Sequence, residues 1–329
     1  LWSFLSYASA NTFYPDGGMS SPINTLKKIA DDLGVHIRLN SEVTSLNING
    51  NRISQVCDNR DFCLNVEGVV ASGDYHHIEQ KLLPYKYRNY DAKWWDKQIL
   101  SPSCLVFYLG FNTKLNGLLH HNFLFDKDLD HYINSIFGGV GGVGGVGGDI
   151  PFYISATSKT DLNVAPKGGE TLFILIPFHF SVDDSVDTDK FRQRILNIIL
   201  KKLVVMGAFG EHCGKKTCNW LYYDFVNCYF SSCDFGNSLV YYSSFGPSDF
   251  KKKYNAFKGN AFGHANILSQ SLFLKPSMQS KIYNLAFTGH LTHPGPGVPP
   301  SMVSGILSAN LLQENINIFN INFILLLNI

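Results

Sequence analysis

The chain has 329 residues, 45% of them hydrophobic and 16% charged, with a formal net charge of +1. That length and apolar content suffice for one large domain or two ordinary ones. The near-neutral balance, with no long basic run, excludes a general electrostatic pull toward nucleic acid.

The opening LWSFLSYASANTFYPDGGM lacks an initiator Met and the basic start and apolar stretch of a signal peptide. It reads as if cut from something longer. No apolar run approaches the ~20 residues of a membrane span. Next, Ser21 and Pro22 precede Ile23, Leu26, Ile29, Ala30 and Leu33, with Gly34 behind them. This predicts a helix capped by Ser21, with Pro22 in its first position and Gly34 as its stop. Val35–Leu39, Val43–Ile48, Ile53–Val56 and Val66–Ala71 are expected strands, with Asn49–Gly50 as a hairpin turn pair.

From Asp74 to about Ile282 strands and helices mix. Leu105–Leu109, Phe152–Ser155 and Leu172–Ile176 are strand-like, and Phe191–Val205 is helical, with Phe191, Ile195, Ile198, Ile199 and Leu203 on one side. Gly138–Gly148 repeats GGV and contains a literal G-x-G-x-x-G at Gly142, Gly144 and Gly147. A dinucleotide loop needs a helix immediately behind it. Here Pro151 and a strand follow, so a surface loop is expected. Seven cysteines do not read as a disulfide framework. Cys213, Cys218, Cys228 and Cys233 have a spacing wider than usual for zinc, and reduced thiols in a variable insert are the simpler reading. The pairs His76–His77 and His120–His121 have no spacing that makes converging ligands, so no metal is expected.

Near the end, Leu285–Thr288 is a short apolar strand, Gly289 allows a sharp exit, and a loop of Gly and Pro runs to Pro299 or Pro300. A helix carrying Met302, Val303, Ile306, Leu307 and Leu311 follows. Strand, glycine loop and helix N-terminus suit an anion, because free N–H groups and the helix dipole face the ligand. The N1–O2 edge of a reduced flavin is one such anion. An ordinary tight connection explains the same residues, and both readings stay open on the residues alone.

The run GHLTHPGPGVPPSMVSG resembles the C-terminal flavin-contact motif of bacterial-type phytoene desaturases. FYPDGGMSSPINTLKKIADDLGV, VVASGDYHHIEQKLLP, SPSCLVFYLGFNTKLNGLLHHNFLF, SKTDLNVAPKGGETLFILIP and DFKKKYNAFKGNAFGHANILSQSLFLKP are similar to further blocks of that family, in its order. Together they cover most of residues 7 to 315. The Gly/Val repeat and residues 207–239 look like insertions, and the family's N-terminal βαβ unit has no counterpart.

The resemblance implies an α/β fold: an incomplete Rossmann-like FAD-binding domain with an inserted α+β substrate domain. Residues 1–73 and 282–315 would form the first, 74–281 the second and 316–329 a tail, either surface anchor or readthrough. Without the βαβ unit, apolar edges would be exposed and the chain prone to aggregate. The implied cofactor is FAD, with Gly289, Pro296, Gly297, Val298, Pro299 and Ser301 along its isoalloxazine and ribityl side. Val43 would touch adenine through its backbone or be a plain strand residue; Gly17 and Gly18 would form a turn near the flavin. His293 is the one catalytic candidate, otherwise a structural hydrogen-bonding residue. The implied activity is FAD-dependent desaturation of phytoene or a related carotenoid, in a long apolar tunnel, by an intracellular enzyme held peripherally on a membrane. Alternatives are a carotenoid isomerase or retinol saturase-like flavoenzyme, or a non-catalytic truncated remnant binding lipid or a partner.

Overall fold

The computed structural model describes residues 13–124, 150–178, 187–209, 238–271, 274–316 and 324–326. The Gly138–Gly148 repeat and Cys213, Cys218, Cys228 and Cys233 lie outside the described residues. Helix α1 (Ser20–Asp32) ends as expected: Gly34 N donates to Asp31 O at 3.0 Å and Val35 N to Ala30 O at 2.9 Å, the paired closure of a Schellman motif. Its start differs. Met19 holds the cap position without a side-chain bond, and Ser21 sits inside the helix, its N–H given to Gly18 O. Pro22 still lies in the first turn, where a missing N–H costs nothing. No residue of α1 is buried. Val35–Leu39 is not a strand: it pairs with no strand among the described residues, and Val35, Ile37 and Leu39 stay exposed.

Strands β1 (Val43–Asn49), β2 (Arg52–Asp58) and β3 (Cys63–Asn65) form an antiparallel meander. Asn49 pairs with Arg52, so the turn pair is Gly50–Asn51, one residue later than expected. Only Gly50 has positive φ (61°), as a II′-type hairpin requires. The cysteine expectation also needs correction. Cys57 faces Cys63 across β2–β3, with Cα atoms 4.1 Å apart, and the two form a disulfide. Cys104 is a free, buried thiol, pushed up to about 12 by burial.

Strand β4 (Val69–Ala71) runs parallel to β10 (Leu285–Phe287) on one side and β11 (Ile324–Leu326) on the other. Both β4 and β10 are buried along their whole length, because both faces of this sheet are covered. Val69, Ala71, Leu285 and Phe287 point into a core with Ile53, Tyr75 and Trp95. Val70 and Ala286 face Leu312 and Ile316 of the last helix, α6 (Val298–Ile316). The period of two along each strand thus divides its side chains between two layers. Asn284, fully buried, joins sheet to meander: its Oδ1 accepts from Ile53 N at 2.8 Å, and its Nδ2 donates to Ile53 O and Glu67 O.

Between these strands lie the short helices α2 (Tyr75–His77) and α3 (Ala92–Asp96), capped by Asp74 and Asp91. Strands β5 (Ser103–Phe111), β6 (His121–Leu124), β7 (Phe152–Ser155), β8 (Glu170–Phe178) and β9 (Leu239–Phe245) build an antiparallel sheet in the order β6-β7-β8-β5-β9. Helix α4 (Asp189–Val205) starts at a Thr188 cap and buries Ile195, Leu196, Ile199, Leu200 and Leu203 with the apolar residues of that sheet. Of the stripe the sequence predicts, Ile195, Ile199 and Leu203 are buried and Phe191 and Ile198 partly so, while Leu196 and Leu200 join them. Arg192 of α4 pairs with Asp187 at 2.6 Å and with Asp249 of α5 (Pro247–Tyr254) at 2.7 Å. The aromatic and aliphatic residues of this region pack against one another. Two cavities among the described residues hold about 190 and 290 Å³, the first lined by Lys114 and Lys167 and the second by Lys86 and Arg88. They fall below the roughly 300–1,000 Å³ of ordinary ligand pockets.

Candidate functional site

Gly289 follows strand β10, Pro296 and Gly297 lie in the loop after it, and Val298, Pro299 and Ser301 form the first turn of α6; Gly297, Val298 and Pro299 are exposed and Gly289, Pro296 and Ser301 partly so. Gly289, Gly295 and Gly297 take φ of 111°, 133° and 117°, which side chains with a Cβ rarely adopt. The His293–Pro294 peptide is cis. Gly297, Val298 and Pro299 are exposed, whereas Leu291, Thr292 and Gly295 are buried beneath them.

A hydroxyl chain holds the loop onto α6. Ser304 Oγ accepts from Thr288 Oγ1 at 2.9 Å and from Gly289 N at 3.1 Å, which fills both lone pairs. Its own proton therefore goes to Thr292 Oγ1 at 3.0 Å, and Thr292 passes its proton to Gly289 O at 2.9 Å. Ser308 Oγ donates to Phe287 O at 2.7 Å. Ser304, Ser308 and Thr292 are fully buried. The buried face of α6 is thus Ser304, Ser308, Leu312 and Ile316, while Met302, Val303, Ile306 and Leu307 are 44–62% exposed. These four apolar residues face out, because small hydroxyl residues let the helix approach the strand closely.

The expected cluster of free helix N–H groups is also reduced. Of the first four residues of α6, Pro299 and Pro300 have no N–H, and Ser301 N donates to Gly297 O at 2.9 Å. Gly289 N is spent on Ser304. What the site has instead is a buried cation. Lys275 is 7% exposed, and its Nζ finds no hydrogen-bond partner among the described residues. A Cβ placed on Gly295 would stand 3.4 Å from that Nζ. Burial lowers the Lys275 pKa, with no carboxylate to offset it.

Three imidazoles share this surrounding. His264 is fully buried, with neither ring nitrogen partnered among the described residues, and burial, then Lys275 and His290, bring it down to about 4. His290 lies with Nε2 3.2 Å from Asn260 Oδ1, and burial, then Lys275, lower it to about 4 as well. His293 is half-buried and shifted down by burial, then Lys275. Sequence reasoning singled out His293 but missed Lys275, His264 and His290, since a lone Lys or His carries no periodic signal.

The other expected residues lie apart. Val43 is a core residue at the start of β1, 8% exposed, beside a register shift that runs to Ser45. Gly17 N donates to Asp161 Oδ2 at 3.0 Å, and Gly18 approaches Val164. His76 stacks on Phe257 at 3.9 Å. His120 and His121 meet Thr160 Oγ1 and Tyr153 OH, each at 2.6 Å. Among the described residues no three His, Cys, Asp or Glu side chains converge as for a metal, and no helix is long and apolar enough to cross a membrane.

No family model matches the chain. It is 30% identical over 319 residues to a carotenoid 3,4-desaturase of Haloarcula japonica, covering 96% of this chain and 58% of that protein. It is 28% identical over 314 residues to a lycopene-forming phytoene desaturase of Pseudescherichia vulneris, covering 92% and 56%. A zeta-carotene-forming phytoene desaturase of Myxococcus xanthus is 25% identical over 305 residues, covering 92% and 52%. Its sequence relatives are carotenoid desaturases. The resemblance read from the motifs is borne out by them, and the chain spans little more than half the length of these carotenoid desaturases. A crystal structure of an oxidoreductase from Methanosarcina mazei superposes with a TM-score of 0.53 at 13% identity, over 90% of this chain and 55% of that one. That likeness speaks for the α/β fold alone.

Proposed function

We propose that this chain is part of an FAD-dependent desaturase acting on a carotenoid, phytoene or a related long isoprenoid. The single observation that carries the reading is the similarity to carotenoid desaturases along 92–96% of the chain. The site's chemistry is compatible with a flavin: the glycine- and proline-rich loop at Gly295 adjoins a buried ammonium that has no hydrogen-bond partner among the described residues. Gly289, Pro296, Gly297, Val298, Pro299 and Ser301 would hold the ring and ribityl side. Bound FAD supplies the oxidant that takes a hydride from an unactivated C–H while a proton leaves the neighbouring carbon.

The chain's own residues do the positioning. The Ser304–Thr292–Gly289 chain of hydroxyls fixes the loop's backbone, so the surface offered to the ring is set before binding. Leu291, 3% exposed, and the fully buried Thr292 keep water from beneath it. His293 is proposed to move a proton at its ring nitrogen, and the Val43 backbone to meet adenine. Residues up to 73 and from 282 to 315 are proposed as the flavin-binding part, with 74–281 as the substrate part. Peripheral association with a membrane is proposed because the substrate dissolves there.

The test is to supply phytoene in liposomes together with FAD, first to this chain and then to a fusion with the N-terminal βαβ segment of a related desaturase. Coloured, conjugated product from the fusion supports the reading. Absence of product and of bound flavin from both proteins overturns it in favour of a non-catalytic remnant.

A further inference from the structure

Among the described residues, Lys275 is a charge without a counter-charge. It sits under the loop at Gly295, nearly enclosed, with its Nζ unpartnered among the described residues. Its ionisable neighbours His264, His290 and His293 are all bases, and each is shifted toward its neutral form with Lys275 among the causes. Burying an ammonium without an acceptor costs several kcal/mol. Such a group is retained where something that binds completes it. The usual suppliers of positive potential at a strand–loop–helix site are largely spent here: two of the first four α6 residues are prolines, and the Ser301 and Gly289 amides are bonded within the protein.

We propose that Lys275 is the counter-ion for the anion that a reduced flavin carries on its N1–C2=O edge, a positioning and tuning residue that the loop amides cannot replace. This inference rests on the flavin reading given above. It requires the ring's pyrimidine edge to face Gly295, whose lack of a side chain leaves the way to Nζ open. A Cβ there would stand 3.4 Å from the ammonium and block it. The ligand is then bound more tightly reduced than oxidised, so the lysine raises the reduction potential of the bound flavin.

The test compares wild type with Lys275→Met, which keeps the length and removes the charge. Without flavin, the variant is expected to melt at a higher temperature, since an unpaired buried charge has gone. Loaded with FAD, it is expected to lose at least tenfold in the preference for reduced over oxidised flavin, about 30 mV for a two-electron couple. Affinity for sulfite, whose addition to oxidised flavin puts negative charge on the same edge, should fall by a similar factor. Lys275→Arg, which restores the charge, should recover part of both. A lower melting temperature for flavin-free Lys275→Met would make the lysine structural and overturn the inference. So would a weaker hold on oxidised FAD with unchanged potential, which assigns the lysine to a phosphate. FAD uptake with unchanged potential and sulfite affinity overturns this inference and leaves the flavin reading standing. No FAD uptake by wild type or by its fusion to a desaturase βαβ segment overturns both.

Discussion

The Gly289 amide donates to Ser304 Oγ at 3.1 Å, so the loop two residues beyond β10 is tied to the seventh residue of the helix it leads into. The serine is fully buried, and its hydroxyl has no capacity left over once Thr288, Gly289 and Thr292 are counted. The loop is thereby held from the helix side, by a residue that need not touch any ligand.

Replacing Ser304 with Ala leaves the Gly289 N–H and the Thr288 hydroxyl without an acceptor in a dry interior. A loss of about 1–3 kcal/mol in unfolding free energy is expected, read by urea denaturation, together with weaker flavin uptake. Ser304→Thr, which keeps the hydroxyl, should fall between the two. If Ser304→Ala is as stable as wild type, the hydroxyl chain does not hold the loop.

Glu79 gives a pH dependence of a defined sign. It is fully buried, and burial pushes it up to about 7 in spite of hydrogen bonds from Asn89 N and Trp95 Nε1. A raised carboxyl contributes stability below its unfolded pKa, near 4.5, that is lost as pH rises through 7. Glu79→Gln should therefore flatten the slope between pH 4.5 and 7, the difference reaching about 2–3 kcal/mol. Asp74, raised to about 6 by burial, keeps a weaker slope of the same sign in the variant. Stability curves of the two proteins that stay parallel across this range would contradict the assignment.

The imidazoles act in the opposite direction. His76, His264 and His290 are each brought down to about 4, chiefly by burial. Their stability is present above pH 6.5 and lost as pH falls through 4. His264 lies between Trp94 and Trp95 with ring centroids 5.8 Å away, so His264→Phe should resist acid better than wild type while differing little at pH 8. Thermal melts at pH 5 and pH 8 decide this.

Helix α1 leaves Ile23, Leu26, Ile29 and Leu33 between 45% and 76% exposed. A patch of this kind promotes self-association. Light scattering of the purified chain should show oligomers that Ile23→Lys with Leu33→Lys reduces, without a change in helical circular dichroism. Unchanged scattering would mean that this face is not what associates.

How far the sequence disclosed the fold varied with the physics involved. Helix α4 and strands β5, β7 and β8 were legible because each repeats its apolar residues with the period of its element and buries them. Val35–Leu39 has the composition of a strand, but pairing is a matter of partners, which composition does not encode. The Cys57–Cys63 disulfide depends on the register of β2 against β3, and β3 is too short to announce itself. At the site, the Gly/Pro motif was visible in the chain, as a loop between strand and helix. Lys275, His264 and His290 were hidden, since their character comes from burial and from each other. The outward turn of Met302 and Ile306 was hidden for a related reason: hydrophobicity marks what can be buried, and here close helix–strand contact selected serines.

The clasp between Asn284 and Ile53 spans 231 positions of the chain, and it sets an order of events during biosynthesis. At translation speeds of about 5–20 residues per second, the meander waits roughly 10–50 s before its partner emerges from the ribosome. Strand β4, with three buried residues, has β10 and β11 as its pairing partners among the described residues, and both are made later still. The five-stranded sheet and α4 are completed in the interval and draw the two ends of the loop nearer, which lowers the entropy of closing it. The glycine loop is thus shaped only after the early strands have waited for β10, and any chaperone that shields those strands must let go before the loop can form.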